Sequence, residues 1–290
     1  MILSVLKTNR PVNLILFPLA AILLWFKNLL KPAAYPFYPG ENSNLLFLPI
    51  YRLTLNTPWL QVALSLLLVI IAAFLIQQLN DRFSLNQTRT KLPAFIYVLF
   101  LGGFIQIHTL HPILFATIFF VFSLHSLLAI FANPEPFNAL FNAGFFIALG
   151  ALFYFELVFF LPAFLIGIVI LRRNIKWRDY AVIFIGFLVP FILALGFAFL
   201  TDHLSELLFT FEKNIVTPTN HLQENPVLLV YIASLALLIV FGSLQLIRYY
   251  AVQKIGIRKF YLFFLIIFVF AVAVFFLIPA VSQEILVIAL

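Results

Sequence analysis

The sequence predicts an all-α protein, a polytopic transmembrane helical bundle of about nine spans. Of its 290 residues, 64% are hydrophobic and only 9% are charged, whereas an ordinary soluble domain carries about 25% charged residues. The apolar residues form runs that approach the ~20 residues a helix needs to cross a bilayer. Lys and Arg cluster in the loops between alternate runs, which is typical of a membrane topology.

The apolar runs define nine predicted spans within one integral membrane domain, residues 1–290. They cover about 12–26, 58–78, 93–107, 112–131, 140–155, 157–171, 180–200, 227–247 and 261–280. No small-residue cleavage site follows the first run, so we expect an uncleaved span and not a signal peptide. The chain ends on AVSQEILVIAL, an apolar run too short to cross, which indicates that a further span is begun.

The distribution of basic residues predicts the orientation. With nine spans, 13 of the 17 Lys and Arg residues lie on one face and four on the other. Basic loops are retained on the cytosolic side, so the N-terminus is predicted to be cytosolic. Fusing residues 140–171 into one span would move both later basic loops to the other face, which supports nine spans.

Composition also limits the chemistry. Cysteine is absent, which excludes disulfides, thiolate metal sites and a cysteine nucleophile. The net charge of +7 comes from strings such as RRNIKWRDY and RYYAVQKIGIRKF that flank spans, so we expect contacts with membrane lipid headgroups and no nucleic acid. Phosphate-binding glycine loops and nucleophile elbows are also absent, so no cofactor is predicted.

The stretch from Ala139 to Tyr180 is predicted to be a membrane hairpin. Two apolar runs, broken at Tyr154 to Glu156, are followed abruptly by a basic loop that begins at Arg172. Glu156 either caps a turn at the outer face or lies buried in the bilayer, where a carboxylate would be a candidate proton relay. The loop count favours the turn, because each flanking run is just long enough to cross.

Glu41 and Arg52 are the candidate catalytic residues. Both follow the first span: Glu41 lies in a loop with three prolines, and Arg52 lies in the short apolar stretch Leu45 to Leu55. That stretch is predicted to lie in the membrane interface or to be re-entrant. A carboxylate base and a cation for phosphate charge are what an enzyme acting on a lipid-linked substrate needs. The alternative is a solvated glutamate and an interfacial anchor.

Histidines offer a weaker possibility. His108 and His111 are three residues apart and could share one face of a turn, but no acidic or cysteine partner lies nearby in the sequence. His125 has no matching histidine on a second helix for haem. Metal sites need more ligands than this pair supplies, so no metal is predicted. The acidic loop from Thr201 to Pro226 is interpreted as a solvated cap.

Two resemblances suggest a context. The segment FNAGFFIALGALFYFELVFFLPAFL, followed by RRNIKWRDYAVIFIGFLVPFIL, resembles an uncharacterised family of multi-pass inner-membrane proteins of the Bacteroidota, which implies the bacterial inner membrane. More weakly, the chain is similar to GT-C-class glycosyltransferases that use polyprenyl-phosphate-linked sugars. They share a cytosolic N-terminus, an acidic outer loop after the first span and a hairpin that contains Ala143 and Gly144.

The second resemblance implies that Glu41 is the base and that Arg52, or basic residues elsewhere on the outer face, binds the lipid phosphate at the periplasmic face. The expected partners are then a polyprenyl-phosphate-linked substrate and envelope proteins. Two alternatives stay open. One is a non-catalytic subunit or assembly factor of a cell-envelope complex. The other is a transporter, in which Glu156 would face a midplane site beside a broken helix.

Overall fold

The computed structural model describes residues 13–37, 42–86, 90–131, 133–216, 226–249, 253–278, 281 and 283–289. All regular structure among them is helical, which confirms the predicted class. The α-helices are α1 (Asn13–Leu30), α2 (Phe47–Thr54), α3 (Pro58–Phe83), α4 (Leu92–Gly102), α5 (Pro112–Leu128), α6 (Phe137–Ala151), α7 (Leu161–Leu171), α8 (Trp177–Leu200), α9 (Leu204–Val216), α10 (Pro226–Tyr249) and α11 (Ile255–Leu277). The 3₁₀ segments are Ile105–His108, Phe155–Phe160 and Gln283–Ala289.

Each predicted span falls on a helix. Three helices, α3, α8 and α11, are long and apolar enough to cross a membrane, so the chain has the helices of a membrane protein. The other six predicted spans fall on helices whose apolar stretches are 10–17 residues long. Local sequence explains where several helices begin, since Pro58, Pro112 and Pro162 occupy their first turns, where no backbone N–H partner is lost.

The 3₁₀ segment Phe155–Phe160, which precedes α7, contacts α9, and Arg172 follows the other end of α7. These two features therefore mark opposite ends of the bundle. We call the end that carries α2 and α9 the outer end, and the opposite end, which carries Arg172, the inner end. α2 packs on α3 with Phe47 buried and Arg52 exposed. This arrangement fits the interfacial placement predicted for Leu45 to Leu55.

The segment Gln283–Ala289 lies against the bundle. It is a 3₁₀ segment that packs on α11 and α5, with Glu284, Ile285, Val287 and Ile288 buried. Its apolar residues are therefore already enclosed by the helices described here. The sequence predicted the start of a further span at this point, and the structure has a short buried segment there.

The most extensive contact between helices joins α6 and α8. Two glycines permit it. A Cβ atom on Gly144 would lie 2.0 Å from the Ile183 carbonyl oxygen, and one on Gly186 would lie 2.2 Å from the Phe141 carbonyl oxygen. The two backbones therefore touch at these positions, as helices in membranes do where small residues line the contact.

We expect Gly144→Ala and Gly186→Ala to destabilise the protein by about 1–3 kcal/mol each, because either methyl group must push the helices apart. Thermal unfolding of the purified protein in detergent measures this. Gly196→Ala on α8 is the matched control, because open space surrounds that position. It should be neutral or stabilising by up to about 1 kcal/mol, and equal losses at all three sites would contradict the close contact.

Candidate functional site

Two carboxylates are buried at the outer end. Glu156 is 4% exposed and Glu284 is 1% exposed, although they lie in different 3₁₀ segments. Tyr35 follows α1 in the sequence. Its hydroxyl donates a hydrogen bond of 2.7 Å to Glu284 Oε1. Ionisable groups are costly to bury in a membrane protein and commonly mark functional sites.

His111 lies beside Tyr35 and a second tyrosine, Tyr154. Its ring centroid lies 4.7 Å from that of Tyr35 and 6.1 Å from that of Tyr154. Its Nδ1 accepts a hydrogen bond from the Ile113 backbone N–H at the start of α5, so in the neutral ring Nε2 carries the proton. We call Tyr35, His111, Tyr154 and Glu284 the outer cluster.

Glu156 was predicted to lie either in a turn or in a buried position, and the structure shows both features. It lies in the 3₁₀ turn Phe155–Phe160 between α6 and α7, as the loop count predicted. It is nevertheless buried, because the turn is covered by α9, where the Phe211 ring stacks on that of Phe155 at 4.9 Å. Turn position and burial are compatible here, since an amphipathic helix covers the turn.

A second polar group lies beside α1. The Trp25 indole N–H donates to Ser65 Oγ at 2.9 Å, and that hydroxyl lies 2.9 Å from the His108 carbonyl oxygen. The Trp25 and His108 rings are stacked with centroids 3.9 Å apart. His108 Nε2 lies 3.0 Å from the Gly102 carbonyl oxygen.

Burial lowers the pKa of His108 from 6.5 to about 4, an effect that the hydrogen bond to Gly102 partly opposes. The imidazole is therefore neutral at pH 7. With the proton on Nε2, His108 donates to the Gly102 carbonyl oxygen that ends α4. This histidine secures the end of a helix and stacks on an indole, so it serves the local structure.

Of the two predicted catalytic residues, Arg52 is exposed on α2. Glu41 lies outside the described residues. The chain on both sides of Glu41 is held at the outer end. The Phe37 ring stacks on His111, and Asn44 Oδ1 accepts a buried hydrogen bond of 2.8 Å from Asn214 on α9. The roles of Glu41 and Arg52 stay predictions.

The two histidines considered as a metal site, His108 and His111, have separate structural contacts. His108 bonds to Gly102 and His111 caps α5. Within the ranges that the structure describes, no group of three or more His, Cys, Asp or Glu side chains is placed to hold a metal ion.

An apolar cavity of about 300 Å³ lies near the outer cluster, between α10 and α11. Phe104 and Leu286 also line it, and Leu286 is two residues from Glu284. On α10 the cavity is lined by residues 229–239, in the first half of the helix, and on α11 by residues 268–276, in its second half. The cavity therefore lies in the outer half of the bundle. Such an apolar space suits a hydrocarbon chain.

The sequence did not predict that Tyr35, His111 and Glu284 lie together in one site. Tyr35 and Glu284 are 249 positions apart, so no spacing rule relates them. The available signal was a single carboxylate within the final apolar run, since a charge there needs a buried partner.

We expect Tyr35→Phe to cost about 1–3 kcal/mol of stability, because the buried Glu284 carboxylate then loses a donor. The same substitution should cost far less in a Glu284→Leu background. A double-mutant cycle of thermal unfolding free energies measures the difference. Equal costs in both backgrounds would show that the hydrogen bond contributes nothing.

We also expect stability to depend on pH through His108. Its pKa is lower in the folded state, so the unfolded chain takes up the proton first as the pH falls. The contribution of neutral His108 is complete above about pH 6.5 and is lost as the pH falls towards 4. Unfolding midpoints between pH 7 and pH 4.5 should therefore fall more steeply for the wild type than for His108→Gln.

The exposed His203 supplies the control for that experiment. His203→Gln should keep the wild-type slope, because this substitution leaves the buried imidazole in place. A His108→Gln variant with the wild-type pH dependence would contradict the assignment.

No protein-family model, no curated protein and no solved structure matches this chain. The candidate site is therefore defined by the geometry of this chain alone.

Proposed function

We propose that this chain is a nine-span protein of the bacterial inner membrane that handles or transfers a polyprenyl-phosphate-linked sugar at the periplasmic face. The six helices with shorter apolar stretches would cross the membrane with the other three, the bilayer thinning locally where a helix is short. The excess of Lys and Arg at the inner end supports a cytosolic N-terminus.

The observation that carries the proposal is the anchoring of the segment around Glu41. Phe37 packs on His111 before it, and Asn44 bonds to Asn214 after it. Glu41 comes four residues after Phe37 and three before Asn44, and in this proposal its carboxylate acts beside the outer cluster. A carboxylate beside a buried histidine and a second carboxylate would suit general base catalysis.

The proposed reaction is a sugar transfer. The acceptor hydroxyl loses its proton to Glu41 and attacks the anomeric carbon of the sugar. The bond from that carbon to the phosphate oxygen breaks, and polyprenyl phosphate leaves with the bonding electrons. Arg52 would stabilise the negative charge on the departing phosphate.

Two features suit a substrate with a lipid tail. Arg52 and the adjacent Leu53 are both exposed on α2, so the cation and the apolar side chain can meet headgroups and acyl chains at the membrane surface. The apolar cavity between α10 and α11 could hold part of the polyprenyl chain near Glu284.

One observation favours a transporter as the second candidate. Glu156 is buried in a 3₁₀ break between α6 and α7, and helix breaks form substrate and ion sites in transporters. The break lies at the outer end of the bundle and not at its middle. A transporter would lose substrate flux on Glu156→Gln, while Glu41→Gln would leave that flux intact.

Glu41→Gln should reduce sugar transfer by about 10²-fold or more, because a general base contributes about 10²–10⁴ to the rate. We would measure labelled sugar incorporated into envelope glycans by cells in which the variant replaces the chromosomal copy. Glu135→Gln, on the exposed loop at the inner end, is the matched control and should retain full transfer.

Protein amounts in the membrane must be equal for the two variants. Unchanged glycans in Glu41→Gln cells would overturn the catalytic proposal. If a second envelope protein then co-purified with the chain, the role of a non-catalytic subunit would replace it.

A further inference from the structure

A basic pocket of about 360 Å³ lies at the inner end, far from the outer cluster. The ends of α5 and α7 and the start of α11 form it. Its lining includes Arg172, Arg173 and Lys259, with the amides Asn133 and Asn174. Among the described residues, no carboxylate lines this pocket. Three cations around one cavity favour an anionic ligand.

Arg172 points to a ligand most directly. Its side chain is only 15% exposed, and its Nε lies 3.7 Å from Asp179 Oδ2. Its Nη1 is buried and has no hydrogen-bond acceptor among the described residues. A buried donor without an acceptor costs stability, and an oxygen atom of a bound anion would remove that cost.

Lys259 is held at the wall of the pocket. Its Nζ donates a hydrogen bond of 3.1 Å to the carbonyl oxygen of Leu171, at the end of α7. It also lies 5.7 Å from the centroid of the Phe131 ring. A lysine ammonium has three donors, so the bond to Leu171 fixes its position and leaves further protons for an anion.

The surroundings of the pocket indicate a lipid. Ile255 lines it and is 67% exposed, and Trp177 in the same inner region is 75% exposed. Exposed tryptophan is typical of the membrane–water interface. A small free anion would use the cations alone, whereas a phospholipid would also place its acyl chains beside the exposed apolar side chains.

We propose that this pocket binds the phosphate headgroup of an anionic glycerophospholipid. The lipid phosphate would lie between Arg172, Arg173 and Lys259, and its acyl chains would extend along the start of α11. Basic pockets between helices at the membrane surface bind such headgroups. This site is independent of sugar transfer at the outer end.

The test uses the purified full chain and the variant pair Arg173→Gln and Lys259→Gln. Thermal unfolding is followed in micelles titrated with phosphatidylglycerol, and native mass spectrometry counts the lipids retained. Phosphatidylglycerol should raise the wild-type midpoint. The pair should weaken apparent lipid affinity roughly 25-fold, because each basic residue near an anionic lipid surface contributes about fivefold.

The matched control is Lys176→Gln with Arg178→Gln. These exposed residues belong to the same basic loop but lie outside the lining of the pocket, and the change in net charge is the same. The control pair should keep the wild-type lipid affinity. An equal loss in both pairs would show general charge attraction and overturn the site.

Two further measurements complete the test. One compares inorganic phosphate with the lipid, and the other uses a single variant in case the double variant does not fold. Inorganic phosphate at matched ionic strength should leave the midpoint unchanged, and an effect equal to that of phosphatidylglycerol would overturn the lipid assignment. Arg173→Gln alone alters an exposed side chain, so it tests the site if the pair unfolds. It should weaken lipid affinity about fivefold, and wild-type affinity would contradict the proposal.

Discussion

The close approach of α6 and α8 through Gly144 and Gly186 is the contact on which the rest of the bundle depends. In a bilayer, lipid tails are as apolar as the helices, so helix association relies on close packing more than on the hydrophobic effect. The glycines allow backbone to touch backbone. α6 also packs on α5 and on the 3₁₀ segment that follows it, so this pair of helices positions Glu156 at the outer end.

The second constraint is the pairing of polar groups in an apolar medium. A buried donor in such a medium has no water to bond, so it must find an acceptor within the protein. The Trp25 indole N–H donates to the Ser65 hydroxyl, and the Tyr35 hydroxyl donates to the Glu284 carboxylate. The Ser123 hydroxyl donates to the Ala143 carbonyl oxygen of α6. These bonds tie together segments distant in sequence, and several of them converge at the outer end.

The two ends of the bundle consequently differ in chemistry. Buried carboxylates, tyrosines and a histidine gather at the outer end, which also carries α2 and α9. Cations gather at the inner end, where Arg172, Arg173 and Lys259 surround one pocket. A reaction centre suits the first environment, because ionisable groups buried in a membrane protein commonly mark functional sites. Lipid anchoring suits the second, because anionic headgroups attract exposed cations.

The sequence by itself determined the helical class, the position of each apolar helix and the basic inner end, because apolar runs, helix-opening prolines such as Pro58 and loop charges act locally. It also located the break at Glu156. Only the tertiary structure decided that Glu156 is buried, that Tyr35 meets Glu284 and that Gly144 touches the backbone of α8. Those outcomes depend on which helix faces which, and that arrangement arises from packing between residues far apart in the chain.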